Sequence, residues 1–152
     1  MARRIARFVG KCALGGCVVI TLFDCIGHPA MVVGASMTPT LQGEDSRWTA
    51  RDFVWVTPWG AKGAVRGDIV TFIPPRNPDK LHIKRVTAVE NEFVKPKKHE
   101  MLMMIPSGQL WMESDNPENA YDSNIYGPVS RGLVRNRATH IIWPPSRWQR
   151  LN

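Results

Sequence analysis

Leu81-His82-Ile83-Lys84-Arg85-Val86-Thr87-Ala88-Val89 is the stretch on which the reading of the fold turns. It is rich in β-branched residues and follows a tight connection marked by Pro74, Pro75 and Pro78. Both features favour a strand over a helix. With a period of two, His82, Lys84, Val86 and Ala88 share one face, and Ile83, Arg85 and Thr87 share the other. Working outward, Phe53–Val56 and Asp68–Ile73 read as strands separated by a loop holding Pro58, Gly60, Gly63 and Gly67. Downstream, Glu92–Val94 is expected to pair back, Lys95–Glu100 is a charged solvated loop, and Gln109–Glu113 is a further strand. Ser114–Asn124 reads as a polar loop, Gly127–Val134 as extended, and Ala138–Trp143 as a last strand ended by Pro144-Pro145. Twelve glycines and twelve prolines in 152 residues agree with many short strands and turns. The expected fold is mainly β, a coiled antiparallel sheet in a single domain.

The net charge of +7 suggests a nucleic-acid binder until it is divided along the chain. Arg3, Arg4, Arg7 and Lys11 stand against Asp24 at the start, and five arginines crowd residues 131–152 with no acid. Between them, residues 31–130 balance 11 bases against 12 acids. The excess lies at the two ends, so a nucleic-acid footprint over the body is not expected, and a membrane-proximal role for the ends fits better. Cys12, Cys17 and Cys25 form neither a CxxC pair nor a Cys/His pattern. No metal, cofactor or disulfide scaffold is called for, and the three read as small apolar residues.

Cys12–Phe23 is an uncharged, mostly apolar run preceded by four positive charges. A cleaved secretory signal, a mitochondrial presequence and a membrane anchor all begin this way. As a helix, residues 5–27 would reach about 34 Å, enough to span a bilayer if Arg7 and Lys11 extend to its surface. Cleavage near Ala35 would destroy the serine motif that follows, which favours the anchor. Residues 1–28 are therefore expected to be a transmembrane anchor and residues 29–152 the β domain.

Two segments carry candidate chemistry. Gly34-Ala35-Ser36-Met37-Thr38-Pro39-Thr40-Leu41 places a serine in a bend that Gly34 permits and Pro39 stiffens. On spacing alone it reads equally as an ordinary turn. Arg66-Gly67-Asp68-Ile69-Val70-Thr71-Phe72, followed by His82–Val86, places Lys84 among apolar neighbours. Buried there, Lys84 would shed its proton readily. On an edge strand it would simply face water.

Together these segments resemble the type I signal peptidase family of Ser–Lys proteases. The match continues through Ile105-Pro106-Ser107-Gly108-Gln109-Leu110-Trp111, Asp115-Asn116 and Asp122-Ser123-Asn124-Ile125-Tyr126-Gly127-Pro128-Val129, in order, over roughly residues 30–143. The short length and the tail Ala138–Trp148 resemble the mitochondrial inner-membrane branch of that family, in its second-subunit type. The resemblance implies a signal-peptidase-like β domain, with Ser36 as nucleophile and Lys84 as general base. Gly34, Met37, Asp122, Ser123, Arg85 and Asp115 are implied as oxyanion or supporting residues. Its implied partners are precursor-protein substrates, a sister catalytic subunit and membrane lipid. It also implies an inner-membrane location with the β domain facing the intermembrane space. Serine is a poor nucleophile until a base takes its proton, and a lysine can do so only if its pKa falls from about 10.4 towards about 7–8.

Three positions depart from the bacterial pattern. Gly34 and Ala120 stand where many relatives have serines that bind the oxyanion and orient the lysine. Asn124 replaces an arginine, so a salt bridge from that position to Asp122 is not available. Two other functions fit parts of the sequence. A self-cleaving Ser–Lys repressor would need a DNA-binding module for which the apolar N-terminus leaves no room. A catalytically weak binding subunit is disfavoured by the intact Ser36 and Lys84, while Gly34 and Ala120 keep that reading open. His82, His99 and His140 have no context placing them beside Ser36 and read as surface or packing residues. Trp55 and Trp59 read as packing or membrane-interface residues.

Overall fold

The computed structural model describes residues 21, 23, 25–97 and 101–151. The expected anchor at 1–28 lies almost wholly outside these residues. Among the described residues no helix is long and apolar enough to cross a membrane.

The described chain forms ten strands: β1 (His28–Met31), β2 (Phe53–Thr57), β3 (Ile69–Phe72), β4 (His82–Val89), β5 (Phe93–Val94), β6 (Met103–Met104), β7 (Gln109–Glu113), β8 (Val129–Ser130), β9 (Val134–Trp143) and β10 (Gln149–Arg150). Eight belong to one antiparallel sheet ordered β1-β2-β9-β3-β4-β7-β8, with β10 added to β9. β5 and β6 pair separately. The mainly β expectation holds. The sheet begins at His28, one residue before the expected boundary of the β domain.

Two differences from the sequence reading have physical reasons. β9 runs ten residues and begins at Val134 rather than Ala138. Its start, Arg135-Asn136-Arg137, lacks apolar alternation, but β3 supplies backbone partners and Asp68 an ion pair to Arg137 at 3.0 Å. Phe93–Val94 pairs with Met104–Met103 and not with the preceding strand. Asn91, at φ 65°, turns the chain out of the main sheet, and its N–H donates to Ile105 O.

β3 lies fourth in the seven-strand path, and all four of its residues are buried. One face contributes Ile69 to a core with Met37, Leu41, Val54 and Ile141. The other contributes Val70 and Phe72 to a core with Val86, Leu110 and Met112. Covered on both faces, β3 is apolar at Ile69, Val70 and Phe72 with only Thr71 polar, whereas β4 alternates in burial. Register shifts along β2–β9, β3–β9 and β4–β7 mark irregularities that bend a sheet.

Candidate active site

Lys84 sits mid-sheet on β4, opposite Val70 of β3, and only 3% of it is exposed. The alternation read from the sequence holds, because Val86 and Ala88 are buried with it while Arg85 is half-buried. Its Nζ lies 2.6 Å from the Ser36 hydroxyl, 48 residues earlier in the chain. Burial lowers the Lys84 pKa from its ordinary value to about 8, against the opposing pull of the Asp122 and Asp115 carboxylates. A lysine on the wet face of an edge strand is thereby ruled out.

The turn that carries Ser36 is held from several sides. Thr38 N–H donates to Ala35 O and Leu41 N–H to Met37 O, closing the bend. Asn116 donates its backbone N–H to Ser36 O and its side-chain amide to Ala35 O, both at 3.0 Å. Gly34 adopts φ +89°, which favours glycine, and its N–H donates to Gly43 O. A serine at position 34 would be strained, so the departure from the bacterial pattern has a backbone reason. Gly43 is constrained in turn, because a Cβ there would lie 2.7 Å from Gly34 O. Arg147 reaches back from the tail to donate to Thr40 O at 3.0 Å and to both oxygens of the fully buried Asp52.

The supporting residues separate by what they touch. Asp122 accepts the backbone N–H groups of Ser114 and Asn124 and caps the one-turn helix Ser123–Tyr126. The Asn124 amide donates to Asp122 Oδ1 and Glu113 Oε1, filling by hydrogen bonds the place an arginine salt bridge would take. Arg85 forms a two-pronged pair with Asp115 at 2.9 and 2.8 Å and also donates to Gly67 O. Burial pushes the Asp115 pKa up, but hydrogen bonds from Arg85 and Thr40, with the charges of Arg85 and Lys84, bring it below its ordinary value. Met37 is buried in the core, so its side chain supports the serine turn by packing. The Ser123 hydroxyl accepts the N–H of Met112 and fastens the helix to β7.

A cleft of about 360 Å³ opens over Ser36 and Lys84, walled by Ala30, Met31, Val33, Thr71, Ile83 and Tyr121. His82 lines it two residues from Lys84 and meets Phe72 and Tyr121 edge-on. Burial, then the charges of Lys84 and Lys80, lower its pKa. His140 is exposed on β9, and His99 lies outside the described residues. Trp59 is exposed, with its indole N–H donating to Cys25 O, and Trp55 is half-buried.

Sequence reasoning missed Asn116 as a holder of the serine turn, although it stands inside the Asp115-Asn116 motif. It also missed Gly43 and the Asp52–Arg147 pair. A pairing across 95 residues leaves no local signal, and the tail arginines read only as a charge run. Arg131 pairs with Glu90, Arg137 with Asp68 and Arg147 with Asp52.

The family model described as "Signal peptidase, peptidase S26" matches residues 5–104. The chain is 42% identical over 137 residues to mitochondrial inner membrane protease subunit 2 of Danio rerio, covering 88% of this chain and 74% of that protein. To the subunit 2 protein of Saccharomyces cerevisiae it is 38% identical, covering 86% and 76%. To the subunit 1 protein of Homo sapiens it is 34% identical, covering 92% and 84%. A serine and a buried lysine in contact on a β scaffold thus occur in a chain that belongs to the signal peptidase family, peptidase S26.

Proposed function

We propose that the chain is a membrane-anchored serine endopeptidase that removes N-terminal sorting segments from precursor proteins, with Ser36 as nucleophile and Lys84 as general base. The observation that carries this reading is the 2.6 Å contact between Ser36 Oγ and the amine of a lysine 3% exposed. A lysine with a pKa near 8 is neutral in a substantial fraction of molecules at physiological pH and can accept a proton.

The chemistry is acyl transfer. Ser36 Oγ attacks the scissile carbonyl carbon as its proton passes to Lys84 Nζ. Negative charge gathers on the carbonyl oxygen, where the backbone N–H of Ser36 donates to it. The C–N bond then breaks, the ammonium returns its proton to the leaving amine, and an ester to Ser36 remains. Water gives a proton to the free amine of Lys84 and attacks the ester carbon; the C–Oγ bond then breaks, the ammonium returns that proton to Ser36 Oγ, and the cut segment leaves as a carboxylic acid. Asp122 and Asp115 keep the Lys84 pKa from falling further, and the Asn116 bonds hold Ser36 in range. Membership of the signal peptidase family supports a substrate segment with small side chains near the scissile bond.

The relatives named as protease subunits support an assembly with a sister catalytic subunit at the mitochondrial inner membrane. Residues 1–28 provide the anchor, with the β domain in the intermembrane space. Exposed Phe23 and Ile26 at the end of the anchor, and Met31 and Val33 just beyond it, suit the neighbourhood of lipid. The test is to present the detergent-solubilised full chain, alone and with its sister subunit, to mitochondrial precursors and locate cuts by mass spectrometry. Specific cuts that vanish with Ser36→Ala support the reading. Equal cutting by Ser36→Ala, or no cutting in either preparation, overturns it and leaves a binding subunit.

A further inference from the structure

Ser114 is buried, at 8% exposure, and its hydroxyl has no hydrogen-bond partner. Leaving a buried hydroxyl unpaired is unfavourable, so such a group calls for an explanation. Its location supplies one. The β4–β7 ladder pairs Val86 with Met112 and Arg85 with Glu113. One further step along both strands sets Ser114 opposite Lys84. Residues facing each other in an antiparallel pair project to the same side of the sheet. Val86 and Met112, both fully buried in one core, define that side, and Lys84 and Ser114 follow them in period two.

The surroundings converge on the same point. Ser114 N–H donates to Asp122 Oδ2, and Asp122 also acts on the charge of Lys84. Two residues on, Asn116 is bonded to the backbone of Ala35 and Ser36. The segment 114–116 therefore runs between the nucleophile turn and the lysine strand. Ser114 is held there by its backbone with its hydroxyl uncommitted.

We propose that Ser114 is a positioning residue for Lys84: its hydroxyl oxygen accepts one N–H of the Lys84 amine and so aims the nitrogen lone pair at Ser36 Oγ. This rests on the Ser36–Lys84 reading and extends it. A lysine amine turns freely about its last bond, and Ser36 contacts it from only one direction. A second contact fixes the rotation, raising the fraction of encounters in which the lone pair faces the serine proton. The bond also persists when Nζ is protonated, and it is stronger to the ammonium than to the amine. Ser114 consequently holds the Lys84 pKa up, acting alongside Asp122 and Asp115, while His82 bears on the same amine from β4.

The test compares Ser114→Ala, Ser114→Thr, Lys84→Arg and the unaltered chain in the full-length assembly with its sister subunit, on one precursor peptide. Rates are followed across pH, and thermal unfolding is followed by circular dichroism. Ser114→Ala should lower kcat at least about tenfold, the equivalent of one hydrogen bond to a charged group, with KM unchanged. The rising limb of its kcat/KM–pH profile should move to lower pH, because an ammonium-stabilising acceptor is lost. Thermal unfolding should show Ser114→Ala fully folded at the assay temperature, since only one oxygen is removed and the β4–β7 ladder is kept. Ser114→Thr, which keeps the oxygen, should recover most of the rate. A Ser114→Ala protein with unchanged rate and a superimposable pH profile overturns the proposal. So does one whose lost activity matches lost folding, because Ser114 would then be a packing residue. Full activity in Lys84→Arg marks failure of the underlying dyad instead.

Discussion

Lys84 is a costly residue for this fold, and the cost has a definite sign. Its pKa in the folded chain is about 8, below the 10.5 of a free lysine. Between these values the unfolded chain binds more protons than the folded one, so stability rises with pH through that window. Below pH 8 the full penalty is present, at about 3 kcal/mol for a shift of this size. Lys84→Met keeps the shape of the stem without the charge. It should raise the unfolding free energy by up to about 3 kcal/mol at pH 7, with the gain fading towards pH 10.5. Urea melts of both forms at pH 7 and pH 10 measure this. Equal stability at pH 7 would mean that the amine finds full compensation in its two carboxylates. A buried charge that weakens the fold and is nevertheless placed against a serine is the pattern of a group kept for chemistry.

The elements that aim these two residues differ in how far the sequence disclosed them. β4 was legible because its signal is local: β-branched residues, alternation and flanking prolines. Ser36 and Lys84 were legible because each lies in a compact motif. The holders of the serine turn were not, since they act over long separations. Asn116 reaches back to Ala35 and Ser36, and Arg147 crosses 95 residues to Asp52. Polar side chains in a loop look alike in sequence whether they face water or clasp a neighbour. β9 was cut short for a related reason, because the partner that stabilises Arg137 comes from another part of the chain. Arg147→Ala strands the buried Asp52 carboxylate and should cost about 3 kcal/mol, discounted towards 2 for the partly exposed guanidinium. Adding Asp52→Asn should return part of that loss, because the uncompensated charge is gone. Thermal melts of the two single variants and the double variant decide it. Strictly additive losses would show that the pair is not what ties the tail to the serine turn.

At the scale of the whole molecule, the central strand β3 separates two cores, and the cleft opens beside it where β1, β4 and the serine turn meet. Charge arithmetic assigned the surplus arginines to the ends of the chain, and the structure gives three of the tail arginines ion-pair partners in the fold. The fold class was readable because mainly β character follows from glycine, proline and short alternating segments. Strand order was not, because β9 enters between β2 and β3 from the far end of the chain. Arg3, Arg4, Arg7 and Lys11 precede the apolar run, and if residues 1–28 form the proposed anchor, such a positive flank stays on the matrix side. The β domain should accordingly become protease-accessible in mitoplasts once the outer membrane is ruptured. Continued protection there would reverse the topology.

If a buried, easily deprotonated lysine activates Ser36, the pH dependence of kcat/KM on a single precursor peptide follows that lysine. The rate should rise with pH along one limb centred near 8, the value burial gives Lys84, and then level off. Lys84→Arg should abolish the rate across the whole range, because a guanidinium does not deprotonate in it. A rising limb near pH 6.5 that survives in Lys84→Arg would assign the base to a histidine and not to Lys84.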